Sequence, residues 1–288
     1  MPGRRPISEA TLVERGYGRA DFARRRAILQ QTLDAFEHAT PPRRFHQLAA
    51  DNLARWRAAS TAPPPHREVA VLKGDWGVVT GALTREHGVC FAALNMANAF
   101  LPGGAYIEGT AAQEENMFRR TDCHFQITDE EMDPATDRYR PETTRLLSAS
   151  GGRVLLDTAQ PRVCIRGPED AARDDLGYAW LPDDAVFPFF ELRAAAQDLK
   201  AGQRLDEADA RARIAAQLDT LRGAGVRHAV LSAFGCGAFR NPAEVVARLY
   251  REEIARRRDD FALIAFAIFH PGYGPDNFTP FAEAFDGF

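Results

Sequence analysis

The chain has 288 residues, 45% hydrophobic and 26% charged, enough apolar material for one large core or two modest ones and too much for disorder as the dominant state. Its net charge is −4 with lysines and arginines spread along its length, so no whole-protein basic field invites a nucleic-acid backbone, and any nucleotide contact is expected to be local. The longest apolar run, Phe261 to Phe269, is nine residues and too short to cross a bilayer. No apolar segment backs the basic N-terminus, so a cytoplasmic protein without membrane contact is the default expectation, with delivery into another cell without a signal peptide left open. Cys90, Cys123, Cys164 and Cys236 stand far apart with no Cys-x-x-Cys or Cys/His ligand spacing, which predicts buried or free thiols and neither a structural zinc nor a disulfide framework.

Taken in chain order, Arg24 to Ala59 predicts two helices broken at Pro41 and Pro42, because Ile28, Leu29, Leu33 and Phe36, then Phe45, Leu48, Leu53 and Trp56, recur mostly at three- and four-residue steps. A proline-rich connector, Thr61 to Pro65, follows. Strands are then expected at Val69–Leu72, Val89–Leu94, Val163–Ile165, Val186–Leu192, Ala229–Ser232 and Leu263–Phe269, with helices most clearly at Glu207–Arg222 and Ala243–Arg258. Several of these strands are apolar on both faces, as strands covered by helices on each side must be. The expected class is therefore α/β with a mixed central sheet flanked by helices. The expected organisation is an N-terminal helical extension, residues 1–65, packed on a main domain, residues 66–288.

Two segments carry chemistry. In the first, a hydrophobic strand runs through Asn98 into Pro102, Gly103, Gly104 and Ala105, and a loop containing Glu108 resolves into a helix at Gln113-Glu114-Glu115. Glycines after a strand let the backbone approach a ligand, although a bare Pro-Gly-Gly is also an ordinary turn. Two adjacent acids at a helix start suit a sugar-binding acid and a hydroxyl-holding one, although acids also favour any first turn through the helix dipole. In the second segment, Ala229-Val-Leu-Ser-Ala-Phe ends a strand in Gly235-Cys236-Gly237-Ala238-Phe239 and opens a helix, with Asn241 suited to the cap and Pro242 to the first helical position. Arg119 and Arg120 could meet a phosphate or pair with Asp122, and exposed helix charges of this kind are usually solvated. The Arg256-Arg257-Arg258 run reads as a solvated helix end.

Pro102-Gly103-Gly104 and Gln113-Glu114-Glu115 resemble, in order and spacing, the signature of the bacterial (microbial-type) poly(ADP-ribose) glycohydrolase family of the macrodomain superfamily, and Asn98 sits where that family has Ala-Asn before its glycines. The third glycine of the family's run is Ala105 here. Gly-Cys-Gly-Ala-Phe in the second loop matches as well, and weaker likeness extends to Val71–Trp76, Phe190–Gln197 and Phe269–Tyr273. The resemblance implies a macrodomain-like three-layer fold and an enzyme that hydrolyses the O-glycosidic ribose–ribose bond of poly(ADP-ribose). It makes Glu115 the acid and base and Glu114 the holder of ribose hydroxyls. Asn98, Gly103, Gly104, Ala105, Gln113, Gly235, Cys236, Gly237, Ala238, Phe239 and Asp75 become substrate-binding residues, Asp75 either toward the adenine or as an ordinary surface-turn residue. His270 and Tyr273 are candidates either for the adenine pocket or for ordinary strand-end packing. No cofactor or metal is implied, and the partner is ADP-ribose or an ADP-ribosylated protein, with nucleic acid expected only as an ADP-ribosylated substrate. Hydrolysis of mono-ADP-ribosylated protein and non-catalytic ADP-ribose binding are the alternatives the sequence leaves open.

Overall fold

The computed structural model describes residues 21–61, 65–270, 272 and 274–288, and the proline connector at 62–64, the first 20 residues and Tyr273 lie outside the described residues. Two helices open the described chain, α1 (Phe22–Glu37) and α2 (Arg44–Ala59). They are followed by β1 (Glu68–Lys73), α3 (Trp76–His87) and β2 (Ala92–Met96). The helix after the long glycine loop is α4 (Gln113–Arg120), and a short hairpin, β3 (Met132–Asp133) with β4 (Arg138–Tyr139), precedes α5 (Pro141–Leu147). The rest alternates: β5 (Leu155–Cys164), β6 (Phe187–Ala194), α6 (Glu207–Gly223), β7 (His228–Leu231), α7 (Ala243–Ala255), β8 (Leu263–Ile268) and α8 (Phe278–Ala284).

Six strands form one mixed sheet in the order β1-β8-β7-β2-β6-β5, parallel throughout except for β5, which runs against β6. The doubly apolar strands have the physical cause the sequence implied. In β8, Ile264, Phe266 and Ile268 pack with α6, α7 and α8, while Leu263, Ala265 and Ala267 face the layer that holds Val79 of α3. Ala92 and Leu94 of β2 go to the first layer and Ala93 to the cluster of Trp56, Trp76, Met117 and Phe118. Three layers result, and α1 and α2 belong to the second helical layer, α2 against β6 and α3, α1 against α4. Each fully buried aliphatic or aromatic side chain in these clusters contributes about 1.5–3 kcal/mol. Cys123, Cys164 and Cys236 are buried, Cys90 is partly so, and all four thiols are free.

Some expectations shift. Strand β2 starts three residues later than predicted, because α3 ends in a left-handed Gly88 and the chain needs Val89 to Phe91 to reach the sheet. Strand β5 begins near Leu155, eight residues before the predicted start, in a polar stretch whose register slips between Asp157 and Arg162. The helix predicted to reach Arg258 stops at Ala255, and Arg257 is held rather than solvated: its guanidinium grips Asp219 at 2.8 Å and Glu253 at 2.7 Å.

Candidate functional site

The ladder between β2 and β7 covers only Ala92↔Ala229 and Ala93↔Val230, whereas β2 stays paired with β6 to Met96↔Ala194. The carboxyl ends of β2 and β7 therefore part, and in open α/β sheets that edge is where ligands bind. Gln113 fills the lost pairing: its Oε1 accepts from the Met96 amide at 2.9 Å and its Nε2 donates to the Leu94 carbonyl at 2.7 Å. The predicted binding residue Gln113 thus fastens the first turn of α4 to the end of β2.

The next two residues face the glycine loop. The Glu114 Oε2 accepts from the Asn98 amide at 2.7 Å, and the Asn98 side chain in turn accepts from the Phe100 and Leu101 amides, fixing the turn before the glycines. The Glu115 Oε1 accepts from the Ala105 amide at 3.1 Å and the Thr110 hydroxyl at 3.3 Å. Both acids are nearly buried, 3% and 7% exposed, which is costly for charged groups unless donors surround them. Burial and the neighbouring Glu115 carboxylate push the Glu114 carboxyl well above the usual carboxylate range.

Gly104, at φ 61°, is the residue that lets the loop close on the acids. A methyl group there would lie 2.5 Å from Glu115 Oε1 and 3.0 Å from Glu114 Oε2. Gly104→Ala is expected to lower turnover by about 10²-fold by moving the Glu115 carboxyl, with about 1–2 kcal/mol of added left-handed strain. Steady-state rates and a urea titration on the same preparation would show both effects, and unchanged turnover would mean that the acids are not positioned by this loop. Ala105 is not in the left-handed region, so the family's third glycine position carries a methyl without strain here. The Glu108 side chain is buried.

The second loop stands at the same edge. Both loops are rooted on the chain leaving β6: the Ala97 amide donates to Ala194, the Leu199 amide to Phe239, and the Asn241 side chain to Gln197. Asn241 does not cap α7 as expected. Pro242 takes the cap position, without a side-chain bond, and Asn241 braces the loop from inside by also donating to the Gly235 and Phe239 carbonyls. Gly235, at φ 75°, is tightly hemmed, since a Cβ would come within 2.6 Å of Ala196. Cys236 turns inward, its thiol buried and pushed up by that burial, and its amide donates to Ala233. What the loop offers is the exposed backbone of Gly237 and Ala238 and the half-buried Phe239, whose ring meets Lys200 Nζ at 4.9 Å.

Asp75 is not in the acid cluster. Its Oδ1 caps α3 by accepting from Gly77 and Val78 and also takes Arg120 at 2.5 Å. Arg119 and Arg120 are fully buried rather than solvated, and neither pairs with Asp122 among the described residues. Arg120 bridges Asp75 and Asn116, and Arg119 donates to the Tyr178 hydroxyl at 3.0 Å. His270 is exposed, and its ring accepts from Gly272.

Beneath the site lies a charged cluster that sequence reasoning missed. Glu191 accepts from Arg193 at 2.9 Å, Arg162 at 3.2 Å and the Asn95 side chain at 2.7 Å, and Arg193 reaches on to Glu131 and the Tyr139 hydroxyl. Burial alone would raise the Glu191 carboxyl, but Arg193 and Arg162 outweigh it and bring it down to about 2. The signal was present: Glu191 and Arg193 alternate within an apolar strand, so they share a face and must satisfy one another.

A carboxyl held by its own loop at the open edge of a macrodomain-like sheet is the equipment of a glycosidase-type hydrolase, and that is the class of this enzyme. Residues 11–148, which contain both acids and the first glycine loop, match the family model of the microbial-type PARG catalytic domain. That match spans just under half of the chain and makes it similar to the microbial-type poly(ADP-ribose) glycohydrolases. Among solved structures it is similar to poly(ADP-ribose) glycohydrolase from Thermomonospora curvata, at 22% identity and a TM-score of 0.61, covering 91% of this chain and 99% of that one. The same protein bound to the inhibitor ADP-HPD matches at 22% identity over 91% and 99% of the two chains, with a TM-score of 0.59. Poly(ADP-ribose) glycohydrolase from Deinococcus radiodurans in complex with ADP-ribose matches at 24% identity and a TM-score of 0.55, over 85% and 92%. At these identities the structural likeness carries the fold. No curated protein matches the chain. Among the described residues, no helix is long and apolar enough to cross a membrane.

Proposed function

We propose that this enzyme hydrolyses the O-glycosidic ribose–ribose bond of poly(ADP-ribose), with Glu115 as acid and base and no metal required. The observation that carries this reading is the hold on Glu115: one oxygen takes the Ala105 amide and the Thr110 hydroxyl, beside a glycine that leaves no side chain between the acids and the loop. Glu115 protonates the leaving oxygen as the ribose gains oxocarbenium character, and then takes a proton from the attacking water. The two donors to its Oε1 stabilise the carboxylate that forms between those steps. Glu114 contacts the ribose hydroxyls. Backbone amides of Gly103–Gly104 and Gly237–Phe239 hold the diphosphate, and Phe239 packs on a ribose or the adenine, placing the bond against Glu115. The ADP-ribose and ADP-HPD seen in the similar structures support this ligand class.

Release of ADP-ribose from poly- and mono-ADP-ribosylated protein tests the reading. Release from polymer is expected. Release from mono-modified protein alone would make the enzyme a mono-ADP-ribosyl-protein hydrolase, and binding of ADP-ribose with release from neither would overturn the reading.

A further inference from the structure

We infer that Glu114 works as a neutral carboxylic acid, its Oε1 carrying a proton that it donates in a hydrogen bond to an oxygen of the bound sugar. The inference rests on the hydrolase reading above and specifies one contact within it: the site meets the sugar here with a donor, so the oxygen it selects is one that can accept.

The geometry gives the two oxygens different surroundings. Oε2 takes the Asn98 amide at 2.7 Å, as the carbonyl oxygen of a carboxylic acid would. Oε1 is buried and has no hydrogen-bond partner. The charged and titratable groups facing this carboxyl come from three elements. Glu115 follows it on α4 and closes over the same point of Gly104. Glu191 and Arg193 approach from β6, and the Tyr139 phenol from β4. Arg193 is the one cation among these groups, and its hydrogen bonds go elsewhere: Nε and Nη2 donate to Glu191, and Nη1 to Glu131 and Tyr139. A carboxylate at Glu114 would leave a buried lone pair without a donor beside a second carboxylate, the arrangement in which one of two acids keeps its proton. Burial and Glu115, which raise this carboxyl, act in the same direction.

The proton on Glu114 also serves the reaction. When Glu115 gives its proton to the leaving oxygen it becomes charged, and a neutral neighbour spares it the repulsion that a second carboxylate would exert at short range. The Glu114 proton stays in place through the cycle while that of Glu115 leaves and returns.

Infrared difference spectra of the whole protein test this without turnover. A protonated-carboxyl stretch is expected at pH 7 in Glu115→Gln, where Glu115 can no longer supply one, and is expected to vanish when Glu114 is changed to Gln as well. Its absence from Glu115→Gln, or its survival in the double variant, would overturn the inference whatever the enzyme cleaves. In turnover, Glu114→Gln keeps the shape and a donor, so kcat is expected to stay within about tenfold of the wild type, the worth of about one hydrogen bond. The acid form of Glu114 exists below the raised value and is lost as pH climbs through it, so the hydrogen bond it donates is lost at alkaline pH in the wild type and kept by the glutamine amide in the variant. A Glu114→Gln enzyme as inactive as Glu115→Gln would overturn the donor role. A wild type that cleaves no ADP-ribosyl bond would sink the hydrolase reading instead, and the spectra would still decide the protonation.

Discussion

Replacing Glu115 with glutamine is expected to lower ADP-ribose release by about 10²–10⁴-fold, the usual contribution of a positioned acid and base, while free ADP-ribose binds within a few-fold of the wild type. Glutamine fills the same volume, and its carbonyl oxygen accepts from the Ala105 amide and Thr110 hydroxyl as Oε1 does. What it cannot do is give up a proton and take one back. Calorimetry with ADP-ribose and a release assay on the same preparation separate the two effects. Equal loss of binding and turnover would make Glu115 a structural anchor, and unchanged turnover would remove it from the mechanism.

The second large effect is expected beneath the site. Glu191→Gln removes the one carboxylate that both Arg162 and Arg193 share, leaving two buried guanidinium groups short of their counter-charge. The expected cost is about 3–5 kcal/mol, read from urea unfolding at pH 7. The pH dependence carries its own signature. The Glu191 carboxyl lies at about 2 in the folded protein against an ordinary 4.5, so its contribution is complete above the ordinary value and is lost as pH falls toward 2. That difference corresponds to about 3 kcal/mol, at 1.36 kcal/mol per pH unit. The variant is expected to lack this portion of the acid destabilisation. If the two proteins lost stability in parallel on acidification, the cluster would not be holding Glu191 ionised.

How far the sequence reached depended on which contacts are local. The alternation in Leu263–Ile268 and the three- and four-residue steps of the N-terminal helices reflect periodicity, so the layers and most elements could be read directly. The two-residue strands of the β3/β4 hairpin are too short to have a period, and the start of β5 is polar because it lies beyond the register slip. Arg120 looks like a solvated helix charge until Asp75, 45 positions away, is placed beside it. Asn241 has the composition of a cap, but it ties down two carbonyls of the loop it follows and joins them to Gln197 on the chain leaving β6. Glu114 and Glu115 are proposed from their motif. That Gln113 pairs with a strand end, and that Thr110 donates to Glu115, could not be read from spacing, since both depend on where the loop returns.

The Gln113 amide, joined to the backbone of β2 at both its ends, has a consequence for how such an enzyme can diversify. The acids inherit the rigidity of the sheet through this pairing and through the Asn98 amide on Glu114, and most of the segment between Pro102 and Thr110 is itself buried. Phe100, exposed and touching neither acid, can change in size and charge without disturbing the Gln113 anchor.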